Sequence, residues 1–238
     1  MGADKWKIDP LGAYFYYCSN ETIKGLTLFD FPYAKVPADM PVVCDMSSEF
    51  CSRPIDVKKY GVIFAGAQKN CGPAGNTVVI VRRDLIKKEK ILKTTPSVMN
   101  LFEVDASPEQ MLNTPATWSC YITGLYVEYM NKFGMKHFEE LAIKKSKMIY
   151  DAIDSSGGYY VNKVEPTFRS RMNIVFQIPK GEALEKKFLA ESEKAGLIDL
   201  SGHRSVGGLR ASIYNAMSVE GVEALVNFMK KFKDENNK

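Results

Sequence analysis

Asp45 closes the apolar run Pro41 to Cys44, and Lys69 follows the apolar run Gly61 to Ala65 within AGAQKNCGPAG. A primary amine can condense with a carbonyl and then carry a proton, while a carboxylate can keep a proton on a basic nitrogen. Both runs read as buried strands, with Thr77 to Arg82 as the next one, so Lys69 falls on a short turn. Small residues surround it: Ala65, Gly66, Ala67, Gly72, Ala74 and Gly75. They leave room for something bulky to approach the backbone, which a surface lysine does not need, and an aldehyde cofactor would fit. Taken alone, Lys69 reads as a solvated turn lysine, and Asp45 as a turn or capping aspartate ahead of Ser47 and Ser48.

A second group lies in GHRSVGGLRASIYNA, where His203, Arg204 and Arg210 sit around two glycines. Guanidinium groups grip carboxylates and phosphates through two parallel hydrogen bonds, and glycines let a loop close over a small ligand. The same cluster is compatible with a surface salt-bridging segment. His137, the only other histidine, falls on the polar flank of a helix and is expected to be solvated.

The elements that must position these groups divide the chain in two. Strands predominate from Ala13 to about Ala106: Ala13 to Tyr17, Pro41 to Cys44, Gly61 to Ala65 and Thr77 to Arg82. Tyr121, Leu125, Tyr129 and Phe133 recur at helical spacing over Thr117 to Phe133, with Gly134 placed to stop that helix. A second helix carries Phe138, Leu141, Ala142, Ile149 and Ala152 on one face and ends at Ser155 to Gly158. Beyond it come strands at Tyr159 to Val161 and Met172 to Gln177, a helix over Gly181 to Ala195, strands at Leu197 to Leu200 and Leu209 to Ile213, and a helix over Ser218 to Lys233. In the last helix Val222, Leu225, Val226, Met229 and Phe232 form one apolar stripe behind the cap Ser218. The expected architecture is α/β: a mainly parallel sheet in a larger domain, residues 1–134, followed by a small α+β domain, residues 135–238.

Composition narrows the function classes. The chain has 238 residues, 45% hydrophobic, with 32 basic and 28 acidic side chains mixed along its length for a net charge of +4. There is no basic stripe with interleaved aromatics, so nucleic acid is not an expected partner. Five cysteines form no CxxC pair, which argues against a zinc site or a disulfide framework. No apolar run approaches a membrane span, and the start MGADKWKIDP lacks an apolar signal core, so a soluble, cytoplasmic protein is expected.

The block from Val42 to Arg82, with YYCSNETIKG before it and GHRSVGGLRASIYNA after it, resembles the phosphoserine aminotransferases, a group of fold-type I pyridoxal-phosphate enzymes, most closely their animal forms. The resemblance runs from about Ala13 to the end. It implies a Schiff base between Lys69 and the aldehyde of pyridoxal 5'-phosphate, and Asp45 bonded to the pyridine nitrogen so that the ring can accept electrons. It also implies that Gln68 contributes to the cofactor pocket and that the Thr22 hydroxyl bonds the ring oxygen, though spacing alone leaves Thr22 open as a helix or turn cap. Asn113 and Thr114 match residues that a neighbouring subunit lends to the cofactor phosphate, implying a homodimer; otherwise Asn113-Thr114-Pro115 is an ordinary turn before a helix. Arg210 is implied to hold the substrate α-carboxylate, and His203 and Arg204 the distal phosphate or carboxylate. The implied substrates are glutamate, 2-oxoglutarate, 3-phosphohydroxypyruvate and phosphoserine.

One departure accompanies the match. The family carries a further domain-sized segment ahead of the point where this chain begins, with a Gly-rich turn for the cofactor phosphate, an aromatic ring that stacks on the pyridine, and a His-Arg pair for the distal group. The chain therefore reads as the carboxyl-terminal part of the enzyme. An alternative expectation is a short form that is weakly active, inactive or dependent on a partner chain.

Overall fold

The computed structural model describes residues 5–88 and 91–237. The start of the chain, read above for a signal core, falls partly outside them. The chain divides into two compact units: residues 1–18, 31–47 and 55–129 form the first, and residues 19–30, 48–54 and 130–238 the second. The late boundary lies close to residue 134, but two early segments group with the carboxyl-terminal half.

The first unit is built on a four-stranded sheet in the order β1 (Phe15–Cys18), β4 (Val42–Asp45), β5 (Val62–Gly66), β6 (Thr77–Val81). β1, β4 and β5 run parallel, and β6 returns antiparallel along β5. Burial alternates along β4 and β5, so Val42, Cys44, Ile63 and Ala65 are enclosed while Val43, Asp45 and Phe64 lie on the opposite face. Rings fill one flank. Tyr17 stacks on Phe31 at 4.3 Å, with Phe15 and Tyr33 edge-on to the same ring. After α1 (Leu101–Ala106) comes α2 (Thr117–Phe133), whose expected bounds match the structure. Its stripe Tyr121, Leu125, Tyr129 and Phe133 is exposed, and only Met130 of this helix is buried.

The second unit contains a hairpin, β2 (Asn20–Glu21) with β3 (Leu26–Thr27), then α3 (Met135–Asp154), β7 (Asn173–Phe176), α4 (Glu182–Lys194), β8 (Leu209–Ser212) and α5 (Val219–Asn236). β7 and β8 pair antiparallel. All five residues of the α5 stripe are buried, and the Ser218 side chain caps the helix by accepting from the Gly221 amide. Phe188 is at the core's centre, edge-on to Tyr160, Phe176, Phe228 and Phe232. Such ring pairs each add about 0.5–1.5 kcal/mol beyond area burial.

Two expected strands do not form. Tyr159 to Val161 makes only a single bridge, Val161 to Gln177, because the Ser156 hydroxyl takes the Tyr160 amide and carbonyl out of sheet pairing. Leu197 to Leu200 fails because the helix end coils back, with the Leu197 amide on the Ser192 carbonyl and Asp199 at φ 58°. His137 also departs from expectation. It is half-buried, in the first turn of α3, stacked at 5.1 Å on Phe133, the last residue of α2, and edge-on to its neighbour Phe138 at 5.4 Å. Among the described residues no helix is long and apolar enough to cross a membrane, and no cluster could hold a metal ion.

Lys145 on α3 is buried at 2% exposure and donates to the carbonyls of Ile213, Tyr214 and Met217 at 3.1, 2.8 and 2.8 Å. Burial lowers its pKa from 10.5 to about 8. The unfolded chain therefore holds this proton more tightly, and the residue's contribution to stability is greatest above 10.5 and falls away as the pH drops toward 8. Lys145→Met is expected to cost about 1–3 kcal/mol, by leaving buried carbonyls without donors. Denaturant titrations across that pH range should show the gap between parent and variant widening as the pH rises; a constant gap would contradict the account.

Candidate active site

Asp45 is the last residue of β4, level with Phe64 of the parallel neighbour β5. The Met46 amide bonds the Phe64 carbonyl at 2.9 Å, which holds the two strand ends side by side. The Asp45 carboxylate accepts from the Ser47 amide at 2.8 Å, and the Ser47 hydroxyl accepts from the Gly66 amide at 3.1 Å. The turn role considered for Asp45 is thus realised, and it fixes the half-buried carboxylate at the carboxyl edge of the sheet. Tyr16 on β1 stacks on Phe64, and its phenol is pushed above its ordinary value by burial and then by the charge of Asp45.

Lys69 sits three residues beyond β5, in a turn closed by the Cys71 amide on the Ala67 carbonyl at 3.1 Å. The Ala67 amide reaches the Asn76 carbonyl at the same distance, so the two ends of the loop meet. Helix α2 pins the far side: Ser119 donates to the Ala74 carbonyl at 2.8 Å, and the Asn76 amide to the Thr123 hydroxyl at 3.0 Å. A side chain at Gly72 would come within 2.1 Å of that hydroxyl, which explains the glycine. Lys69 is half-buried and Gln68 exposed, with the Gln68 amide against Gly66. Asn113 and Thr114 belong to the same unit, exposed just ahead of α2, with the Asn113 amide on the Thr114 carbonyl at 3.0 Å.

The remaining expected residues are in the second unit. Thr22 lies in the turn of the β2–β3 hairpin, where the Glu21 carboxylate accepts from the Ile23 and Lys24 amides. His203 and Arg204 lie on the loop before β8, closed by the Gly202 amide on the Gly208 carbonyl at 2.9 Å. His203 Nδ1 accepts from the Ser205 amide at 3.2 Å and lies 2.7 Å from the Ser205 hydroxyl. Arg204 is exposed. On β8, Leu209 and Ala211 point into the core, while Arg210 and Ser212 take the other face. The Arg210 Nε is buried and has no hydrogen-bond partner among the described residues. A buried guanidinium N–H without a partner fits a site completed by an anion.

Sequence reasoning missed the residues that brace these groups. Ser47, Ser119 and Thr123 support the lysine loop, and a network around Asn20 and Asn173 supports the Thr22 hairpin and β8. Ser119 and Thr123 carried no sequence signal, and Ser47 only that of a turn residue after Asp45. Asn20 carried none either, standing in the polar stretch Ser19 to Gly25.

A parallel sheet with an acid at one strand end and a lysine on the next strand's turn is the arrangement of fold-type I enzymes, and the aminotransferase class-V profile matches residues 1–225. The chain belongs to the class-V aminotransferase family. It is 50% identical over 237 residues to the phosphoserine aminotransferase of Drosophila melanogaster, covering 98% of this chain and 64% of that protein. The chain thus spans less than two thirds of that relative's length. A Bacillus circulans phosphoserine aminotransferase structure superposes with a TM-score of 0.90 at 42% identity, covering 96% of this chain and 62% of that one. A PLP-bound phosphoserine aminotransferase from Trichomonas vaginalis gives 0.88 at 40% identity, with 96% and 63% covered.

Proposed function

We propose that this chain acts as a phosphoserine aminotransferase, moving an amino group between glutamate and 3-phosphohydroxypyruvate to give phosphoserine and 2-oxoglutarate in serine biosynthesis, with pyridoxal 5'-phosphate as cofactor. The observation that carries the reading is the level placement of Asp45 beside β5, with Lys69 on the turn that follows. The cofactor supplies an aldehyde and an electron-accepting ring. Asp45 holds a proton on the ring nitrogen, and its place at the strand end suits that task because the Ser47 amide orients it. Lys69 attaches the cofactor and then, once displaced, carries a proton between the two carbons that exchange it. Thr22 bonds the ring oxygen and Gln68 adds to the pocket.

Arg210 takes the α-carboxylate through its unpartnered Nε–H, and His203 and Arg204 take the distal phosphate or carboxylate. Asn113 and Thr114 serve the cofactor phosphate of a second copy in a homodimer. The exposed apolar stripe of α2, Tyr121, Leu125 and Tyr129, is the kind of surface a neighbouring subunit covers. In this reading residues 1–134 form the cofactor-binding part and residues 135–238 the small domain, and the protein works in the cytoplasm.

The test is chemical. Protein mixed with pyridoxal phosphate and reduced with borohydride is expected to carry the label on Lys69, found by peptide mapping, and phosphoserine added beforehand should diminish it. Label on another lysine would refute the assignment.

A further inference from the structure

The second unit contains a buried hydrogen-bond network that the proposed chemistry does not use. Asn20 and Asn173, 1% and 0% exposed, form its centre. The Asn20 amide nitrogen donates to the Ser48 hydroxyl at 2.7 Å and to Asn173 Oδ1 at 2.9 Å. Its amide oxygen accepts from Thr27 and Ser170, both at 2.5 Å. Asn173 donates in turn to the Ser212 hydroxyl at 3.1 Å and the Tyr214 hydroxyl at 3.0 Å. Ser170 also accepts from the Met172 and Asn173 amides. Every polar position of the Asn20 side chain is used, so the direction of each hydrogen bond is determined and the side chain has no equivalent alternative orientation.

This network joins β8 to the hairpin. Ser212 pairs with Asn173 across the two strands, and Arg210 pairs with Val175, so Arg210 lies one pleat from the Ser212 contact on the same face. That spacing is about 7 Å. The hairpin packs on β7 without slack: the Ser170 amide bonds the Gly25 carbonyl at 3.0 Å, and a side chain at Gly25 would come within 2.7 Å of the Asn173 carbonyl. A buried polar network permits few alternative arrangements, because a shifted strand would leave several donors and acceptors unpaired.

We propose that the Asn20–Asn173 pair is a positioning device for Arg210, holding β8 against the β2–β3 hairpin so that the guanidinium meets a carboxylate in the correct register. The inference rests on the role proposed above for Arg210. Misplacing a binding group by about 1 Å is enough to lose much of its effect.

The experiment compares two unreactive ligands by calorimetry on the cofactor-loaded protein. One is 3-phosphoglycerate, the hydroxy counterpart of phosphoserine, and the other is 2-hydroxyethyl phosphate, the same molecule without its carboxylate. Asn173→Ala and the milder Ser212→Ala are expected to weaken 3-phosphoglycerate by about tenfold and 2-hydroxyethyl phosphate by less than about twofold. Phe232→Leu, a core substitution away from the network, serves as the control for lost stability and should change neither. Equal weakening of both ligands, or losses that follow the melting temperature across all three variants, would overturn the proposal. Arg210→Ala separates the two readings. If it fails to abolish the preference for the carboxylate, the role of Arg210 falls and this inference with it; if it does abolish it while Asn173→Ala and Ser212→Ala do not, only the positioning claim falls.

Discussion

Lys69→Ala is expected to lower the transamination rate by about 10⁴-fold or more, with the folded state changed by less than about 1 kcal/mol. The size of the effect follows from the two tasks proposed for this one amine. Without it the cofactor loses its attachment, and the proton that must leave one carbon and reach another has no carrier. The small effect on folding follows from the loop's construction. Its closure depends on the Ala67 and Cys71 amides, on Ser119 of α2 bonded to the Ala74 carbonyl, and on the Asn76 amide bonded to Thr123 of α2. Parallel measurements of amino-group transfer from glutamate and of unfolding by denaturant check both halves. Methylamine in the assay should return a small part of the rate, because a free amine can carry the proton but cannot hold the cofactor. Retention of more than a few per cent of activity would mean that another group carries the chemistry.

What was legible in the sequence was local. β4, β5 and β6 could be placed within about a residue because short apolar runs bounded by turn residues are a strong signal; the roles expected of Asp45 and Lys69 at their ends came from the family resemblance. The α5 stripe was read residue by residue, since helical periodicity with a capping serine leaves one solution. Position on an element was therefore readable, but its support was not. Lys145 reaches carbonyls about seventy positions away, and Asn20 meets Asn173 across 153. No spacing rule connects residues so far apart, so a lysine in a helix reads as solvated and an asparagine near a turn reads as a turn residue. The failed strand at Leu197 to Leu200 has the same cause. Its apolar residues suit a strand, but the preceding helix end keeps the Leu197 amide for the Ser192 carbonyl.

Arg210 gives the second large effect, and the structure lets its role be separated from mere support. In the free protein its Nε–H is buried with no partner among the described residues, an arrangement that costs about 1–3 kcal/mol. An orphan donor of this kind suits a residue whose partner is an incoming anion. Arg210→Leu is therefore expected to leave thermal stability unchanged or raised, since the apolar side chain has no donor to satisfy, while kcat/KM falls by about 10²–10³-fold for every amino acid. Arg210→Lys should recover little of this, because an ammonium offers no planar pair of N–H groups for both carboxylate oxygens. Arg204→Ala should behave differently. It should depress glutamate and phosphoserine and spare alanine, as expected of an exposed group that meets only a distal anion. Rates for these three substrates, set beside melting temperatures of the free variants, decide the matter: a destabilised Arg210→Leu with its substrate preferences intact would make Arg210 a structural residue and remove the carboxylate anchor from the proposed site.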